Sequence, residues 1–419
     1  MKTVKYLIIG AGISGLSFAN FINSNDYLIL EKDNEIGGYC KTIKNNEYVW
    51  DYAGHFYHFK TDEMKQFFIE KMKDEEIVNQ VKNTKIYYGN NLINYPFQTN
   101  IHQLDKQEFI DCLYDLYNKQ EKEEYDNFLD MLYGKFGKSI VEKFLKPYNE
   151  KLYACDLNKL DKDAMGRFFP YADINQIINN MKSNENKSYN DTFLYPKKGA
   201  YIFLEKLYES LDKEKILLST EVVKVDSEKK VVILDTGEEV QYEYLINTAP
   251  LNKYFELVHE QKAEELKNEM SYNKVLVFNL GFEKGSDFKE HWIYFPDKDI
   301  NFYRVGFYNN ILNQEKLSLY IELGFAKDDE IDVDKELKNT LINLRKIGIV
   351  KDNELKASST IIMDPAYVHI NGDTNKKLID YIAEMEKKNI YTTGRYGAWT
   401  YCSMEDCMIE AKNIASKIK

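Results

Sequence analysis

The segment Gly10-Ala11-Gly12-Ile13-Ser14-Gly15 follows the apolar run Tyr6-Leu7-Ile8-Ile9, and a second apolar run, Tyr27-Leu28-Ile29-Leu30, ends at the acid Glu31. The first run reads as a buried parallel strand. Gly10, Gly12 and Gly15 let the backbone turn tightly into a helix, whose N-terminal N–H groups and positive dipole end face a pyrophosphate. Glu31 closes the second strand, where an acid accepts a hydrogen bond from a ribose hydroxyl. The glycines alone are a weak signal. Strand, turn, helix, strand and acid in this order favour a dinucleotide-binding unit over a plain glycine turn.

A second glycine pair, Gly37-Gly38, follows soon after the acid. This arrangement resembles the extended fingerprint of FAD proteins of the amine-oxidase and pyranose-mutase type, in which Gly37 and Gly38 would bring backbone N–H groups close to the dinucleotide. The alternative is an ordinary Gly-Gly loop. The chain carries no second Gly-x-Gly-x-x-Gly, so a separate nicotinamide-binding domain is not indicated.

With 419 residues, 44% of them hydrophobic, the chain can bury a large core in two or three lobes. A net charge of −12 without a basic run argues against nucleic acid, which needs clustered Lys and Arg. The five cysteines, at 40, 112, 155, 402 and 407, form no Cys-x-x-Cys pair. Neither a metal site nor a disulfide framework is expected, and the compartment reads as reducing. The N-terminus enters a strand directly, without a signal-peptide pattern, and no apolar run approaches the roughly 20 residues of a membrane span. A cytoplasmic protein with no membrane span is expected.

The expected fold class is α/β: a Rossmann-type FAD-binding domain with a helical insertion and an antiparallel-sheet substrate domain. Residues 1–60, 192–250 and 388–419 read as a discontinuous dinucleotide domain. Residues 61–191 read as a helical substrate-binding domain, with helical spacing over 61–80 and about 102–146 and a mobile polar loop at 183–191. Residues 251–387 read as an antiparallel sheet, with strand-like segments at 274–283, 291–296, 300–307 and 317–324 and helices at 329–347 and 375–388. Strand patterns also cover 216–225 and 231–234, split by the turn Asp226–Lys230.

Several residues stand out as site candidates. Gly54-His55 sits among Trp50, Phe56, Tyr57 and Phe59; the histidine either approaches a flavin or is satisfied by a loop carbonyl. Tyr95-Pro96-Phe97-Gln98 puts two aromatics and an amide on one extended stretch, suited either to holding a planar base or to plugging a gap between helices. Arg167, Arg304 and Arg395 lie in unusually apolar or glycine-rich surroundings, where an arginine needs a partner. That partner is either a buried acid or a phosphate, which a planar bidentate donor suits. No Ser-His-Asp, Cys-His or paired-carboxylate arrangement is visible, so chemistry is expected to reside on the cofactor.

In this order the motifs resemble the UDP-galactopyranose mutase family, in particular its eukaryotic-type branch. The anchors are Gly10–Gly15 with Glu31, Gly37-Gly38, Gly54-His55, Tyr95-Pro96-Phe97-Gln98, Tyr148-Asn149-Glu150-Lys151-Leu152-Tyr153, 190–196, Phe302-Tyr303-Arg304 and Gly394-Arg395-Tyr396-Gly397-Ala398-Trp399-Thr400-Tyr401. The resemblance implies that Tyr95, Phe97, Gln98, Asn149 and Tyr153 hold the uridine end of a UDP-sugar, Tyr153 standing where the family usually has Trp. It implies that Arg167 and Arg304 clamp the diphosphate, that Asn190 closes over the substrate, and that Tyr294, Tyr367 and Tyr401 line the sugar–phosphate region. His55 would lie near the flavin and Arg395 would contact FAD.

The chain departs from the family at the sugar end. Cys402-Ser403-Met404-Glu405-Asp406 replaces an acidic-amide stretch, and Ile311 stands where a substrate-contacting tyrosine is expected. The implied activity is pyranose–furanose interconversion, in which N5 of reduced FAD attacks the anomeric carbon and forms a flavin–sugar adduct. NAD(P)H or another reductant would first reduce the flavin. The competing expectation is an FAD-dependent oxidoreductase of the amine or protoporphyrinogen oxidase type.

Overall fold

A computed structural model describes residues 2–166, 169–170, 173–183 and 192–419. The strand Lys2–Ile9 lies at the centre of a sheet whose parallel members run in the order Ile216–Leu217, Tyr27–Leu30, Lys2–Ile9, Glu239–Asn247, Ile390–Thr392. Its second half, Tyr6-Leu7-Ile8-Ile9, is apolar without alternation because both faces are covered there. Tyr6 and Ile8 enter one core and Leu7 and Ile9 the other, and Leu7 and Ile8 are fully buried. The helix Ile13–Phe21 follows the glycine turn, as its buried first turn requires.

Strands Val222–Asp226 and Val231–Leu234 form an antiparallel flap on the first half of Glu239–Asn247, and Ile390–Thr392 takes the second half of that edge. The expected continuous strand over 216–225 is two strands. After Leu217 the chain turns through Ser219 at φ +49°, so that the Ser219 and Thr220 N–H groups donate to the carbonyls of Asp33 and Glu31 at 2.8 and 2.9 Å. The loop that carries Glu31 is thereby fixed to this corner.

A second sheet runs Leu355–Met363, Asn273–Phe282, Ser318–Ala326, Arg304–Phe307, Trp292–Tyr294, Thr84–Tyr88, Asn91–Asn94. Its pairings are antiparallel except the one between Trp292–Tyr294 and Thr84–Tyr88, which is parallel. The 61–191 stretch is therefore not wholly helical. Helix Asp62–Lys71 ends well short of residue 80, strand Ile77–Val81 pairs with Thr192–Pro196, and a hairpin from this stretch completes the second sheet. The helices Lys106–Tyr117, Phe128–Ile140 and Lys146–Tyr153 pack around a third core that contains Phe97, Phe128, Phe136, Phe144 and Tyr153. Helices Val333–Ile347 and Gly372–Lys387 lie close to their expected spans. Arg167, Asn190 and loop residues 184–191 lie outside the described residues. No helix among the described residues is long and apolar enough to cross a membrane.

Candidate cofactor and substrate site

A cavity of about 780 Å³ lies between the glycine loop of the first sheet and the second sheet. Gly10, Gly12, Glu31, Gly37, Gly38, Gly54, His55, Arg304, Tyr367 and Arg395, all anticipated from the sequence, line it. The three glycines of the first turn do three different jobs. Gly10 has φ +100°, and a Cβ there would meet the Thr248 hydroxyl at 2.4 Å. A Cβ on Gly15 would stand 2.1 Å from the Gly10 carbonyl oxygen, so its absence lets helix and strand approach. A Cβ on Gly12 would meet nothing within 4 Å, because Gly12 faces the cavity.

Glu31 is 7% exposed and held from both sides. The Ala11 N–H donates to Oε2 at 2.7 Å and the Asp33 N–H to Oε1 at 3.0 Å. Its carboxylate is thus oriented before any ligand arrives. Thr220 and Val222, on the neighbouring corner, share this part of the wall.

From the second sheet, Arg304 projects beside Glu322, which is 1% exposed at the side chain. The arginine donates from Nε to Oε2 at 3.0 Å and from Nη2 to Oε1 and Oε2 at 2.6 Å each. The Tyr303 hydroxyl adds a third donor to the carboxylate at 2.7 Å. Burial is the largest single effect and works against the charge on Arg304, but Glu322, together with Tyr367, Tyr320 and Tyr303, raises the guanidinium pKa well above its ordinary value. Of the two partners weighed for this arginine, the structure contains the acid. Sequence reasoning missed Glu322; its signal was a lone acid in the apolar run Leu319-Tyr320-Ile321-Glu322-Leu323.

Arg395 lies over the rings of Tyr367 and Tyr401, at 4.8 and 4.7 Å from their centroids, and these two rings stack at 5.8 Å. Its Nη1 donates to the Cys402 carbonyl at 3.4 Å, and its buried Nε has no partner. His55 Nδ1 lies 3.1 Å from the Ala53 carbonyl, which can only accept, so the proton sits on Nδ1 and Nε2 carries the lone pair. Burial pushes the His55 pKa down to about 4, and the imidazole is neutral at ordinary pH.

Tyr294 packs against Tyr95 and Tyr148 at 5.2 and 5.1 Å, and its hydroxyl accepts from Trp292 Nε1 at 3.0 Å. The other residues expected at the base are enclosed in the helical lobe. Phe97 and Tyr153 have no exposed surface; Phe97 stacks on Phe144 at 5.1 Å and Tyr153 meets Phe128 edge-on at 6.3 Å. Both rings therefore pack in the core rather than presenting an open stacking face, and for Phe97 this is the alternative weighed for the Tyr-Pro-Phe-Gln stretch. Gln98 donates to the Pro170 carbonyl, and Asn149 Nδ2 donates to the Leu145 carbonyl at 2.6 Å. Yet Gln98 Oε1, Asn149 Oδ1 and Tyr153 Oη are buried without a partner. Lys151, between the last two, donates from Nζ to the carbonyls of Phe295, Asp297 and Phe302 at 2.8, 2.9 and 2.5 Å, tying this helix to the loop before Arg304.

Residues 8–70 match the family described as NAD(P)-binding Rossmann-like domain. Over 321 residues, 67% of this chain and 68% of its relative, the sequence is 22% identical to coproporphyrinogen III oxidase of Staphylococcus aureus (strain NCTC 8325 / PS 47). Among solved structures, reduced UDP-galactopyranose mutase is similar with a TM-score of 0.93 at 22% identity, covering 99% of this chain and 95% of that one. Cyclohexylamine oxidase from Brevibacterium oxydans IH-35A is similar with a TM-score of 0.69 at 13% identity, covering 99% and 98%. The fold is thus a mixed α/β fold with a Rossmann-type dinucleotide-binding domain, shared with flavoenzymes of several activities.

Proposed function

We propose that this chain is a flavin-dependent nucleotide-sugar mutase that interconverts pyranose and furanose forms, with UDP-galactopyranose and UDP-galactofuranose, or close analogues, as substrates. Its working cofactor in this reading is reduced FAD, with NAD(P)H or another external reductant. The observation that carries the proposal is the trio of buried, unpartnered polar atoms on Gln98, Asn149 and Tyr153. Such atoms cost about 1–3 kcal/mol each when left unmatched. They belong to the residues whose motifs point to the uridine end, and a polar base edge would satisfy them.

The wall of the cavity fits a dinucleotide. Gly12 leaves open the space that a side chain would fill, Glu31 is oriented for a ribose, and Arg395 Nε is buried and unsatisfied. Gly10, Gly12, Gly15, Glu31, Gly37, Gly38, Gly54 and Arg395 would hold the cofactor. When bound and reduced, the flavin supplies covalent catalysis at the anomeric carbon. The protein's own part is electrostatic. Arg304, pre-set by Glu322, offers a fixed guanidinium to the departing diphosphate, so little reorganisation is needed as charge develops. Arg167 would share that task and Asn190 would contact the substrate, both on sequence grounds. Tyr294, Tyr367 and Tyr401 line the sugar–phosphate region and limit water entry. His55, being neutral, adds no charge beside the flavin.

The test is to reduce the purified protein with dithionite without oxygen, incubate it with both UDP-galactose forms and a panel of other nucleotide sugars, and separate the products by chromatography. Interconversion only with reduced flavin is expected. No conversion and no UDP binding would overturn the proposal. The pairing of Arg304 with Glu322 favours a second reading, an FAD-dependent oxidoreductase of the amine or protoporphyrinogen oxidase type, because a neutralised guanidinium binds a diphosphate less strongly. That reading requires oxygen consumption with an amine or porphyrinogen substrate.

A further inference from the structure

Cys402 and Cys407 touch. Their sulfurs are 3.7 Å apart, the residues are 7% and 5% exposed, and both line the cavity. The start of helix Met404–Lys417 produces this contact. Ser403 caps the helix: its Oγ accepts from the Asp406 N–H at 3.2 Å, and Asp406 Oδ2 accepts from the Ser403 N–H at 2.8 Å. In such a capping box the residue before the cap packs against the fourth helical residue, usually as an apolar pair. Here those two positions are the two cysteines. One buried cysteine can serve as a small hydrophobe. The packing does not require that both partners be thiols, nor that both open onto the cavity.

We propose that Cys402 and Cys407 are a redox-active thiol pair that closes to an intramolecular disulfide in the cavity wall, by exchange with a small-molecule disulfide such as oxidised glutathione. The Cys407 thiolate attacks one sulfur of the incoming disulfide and expels one thiol. The Cys402 sulfur then attacks Cys407 and expels the second. The protons of the two cysteines end on the two released thiols; the protein pair loses two electrons and the external disulfide gains them. Cys407 is suited to the first attack because its hydrogen bond with Cys402 holds its pKa below the ordinary thiol value, against the effect of burial. Closing the bond brings the sulfurs together by roughly 1.7 Å, from the 3.7 Å contact to the S–S length. Cys402 bears the carbonyl that accepts from Arg395, so its displacement disturbs the seat of Arg395 over Tyr367 and Tyr401. The disulfide form should bind FAD more weakly, on the order of tenfold.

The experiment uses the flavin-loaded protein and the same protein stripped of flavin. Each is incubated with oxidised glutathione, quenched in acid, alkylated and digested with trypsin. Trypsin cuts after Arg395 and Lys412 with no site between, so residues 396–412 carry both cysteines on one peptide. The expected product is that peptide two hydrogens lighter and alkylated at neither cysteine, formed faster in the stripped protein, where no cofactor covers the wall. C402S should instead trap a glutathione adduct on Cys407. Full alkylation of both cysteines in both preparations, or a link from either to Cys40, would overturn the assignment. Equal FAD affinity of the thiol and disulfide forms would overturn the coupling to the cavity. None of these readouts depends on which reaction the enzyme catalyses.

Discussion

Two alanine substitutions of opposite expected effect, G12A and G15A, separate the cradle from the fold. Gly12 has φ −78° and ψ −173°, which alanine adopts without strain. Its new Cβ would meet no atom within 4 Å. Restricting the unfolded chain gains about 0.4–1 kcal/mol, and the poorer helix cap loses a similar amount. Stability should therefore stay within about 0.5 kcal/mol of the parent. The methyl group, however, enters the space where a pyrophosphate would lie, and overpacking there costs about 1–3 kcal/mol, or roughly 5–150-fold in FAD affinity. Gly15 behaves in the opposite sense. Its Cβ would stand 2.1 Å from the Gly10 carbonyl, so helix and strand must separate. Overpacking of about 1–3 kcal/mol, less the roughly 1 kcal/mol by which alanine is the better helix former, leaves an expected net loss of up to about 2 kcal/mol. Urea denaturation of the flavin-free proteins measures the first quantity and fluorescence titration with FAD the second. An unchanged FAD affinity in G12A would refute the placement of the cofactor, and a more stable G15A would refute the close packing.

Three further predictions follow from buried groups. Glu322→Gln leaves Arg304 facing a neutral amide and should cost about 3 kcal/mol or more in urea denaturation; an unshifted midpoint would mean that the pair is energetically idle. Asp51 has no exposed surface, and burial raises its pKa to about 7, although Thr42, the Ala200 N–H and Tyr195 donate to it at 2.6, 3.0 and 2.9 Å. With the folded value above the ordinary 3.8, the folded state holds the proton more tightly. The stability linked to it is complete at low pH and is lost as pH rises through about 7. Between pH 5 and 8 the parent should lose on the order of 2–3 kcal/mol relative to Asp51→Asn, and a difference that does not vary with pH would contradict this. Phe97→Ala should destabilise by about 3–5 kcal/mol, whereas a ring that served only to stack on a base would leave the denaturation curve unchanged.

The glycine turn and Glu31 were legible because their constraints are local: φ at Gly10, contact at Gly15 and a strand end at Glu31 all lie within one βαβ unit. The identity of Arg304's partner was not, since Glu322 is brought beside it only by strand pairing. Phe97 and Tyr153 show the same limit differently. An aromatic beside a proline or on a helix has one sequence signature whether it meets a ligand or, as here, Phe144 and Phe128. The break within 216–225 is not legible because both halves, Ile216-Leu217-Leu218 and the valines of 222–225, are apolar; what divides them is the hydrogen bonding of Ser219 and Thr220 to the loop around Glu31.

The parallel pairing of Thr84–Tyr88 with Trp292–Tyr294 has a consequence for anyone cutting the gene. The helical lobe looks like an insertion that could be removed or grafted elsewhere. It is not separable, since its hairpin supplies the last two strands of the sheet that carries Arg304. Excision would leave Trp292–Tyr294 as a raw edge of unpaired backbone groups beside Phe295 and Ile293, a template for intermolecular strand addition. A graft of the lobe alone would carry an orphan hairpin into its new host. Chimaeras between this chain and its structural relatives should exchange the lobe and the whole second sheet as one unit.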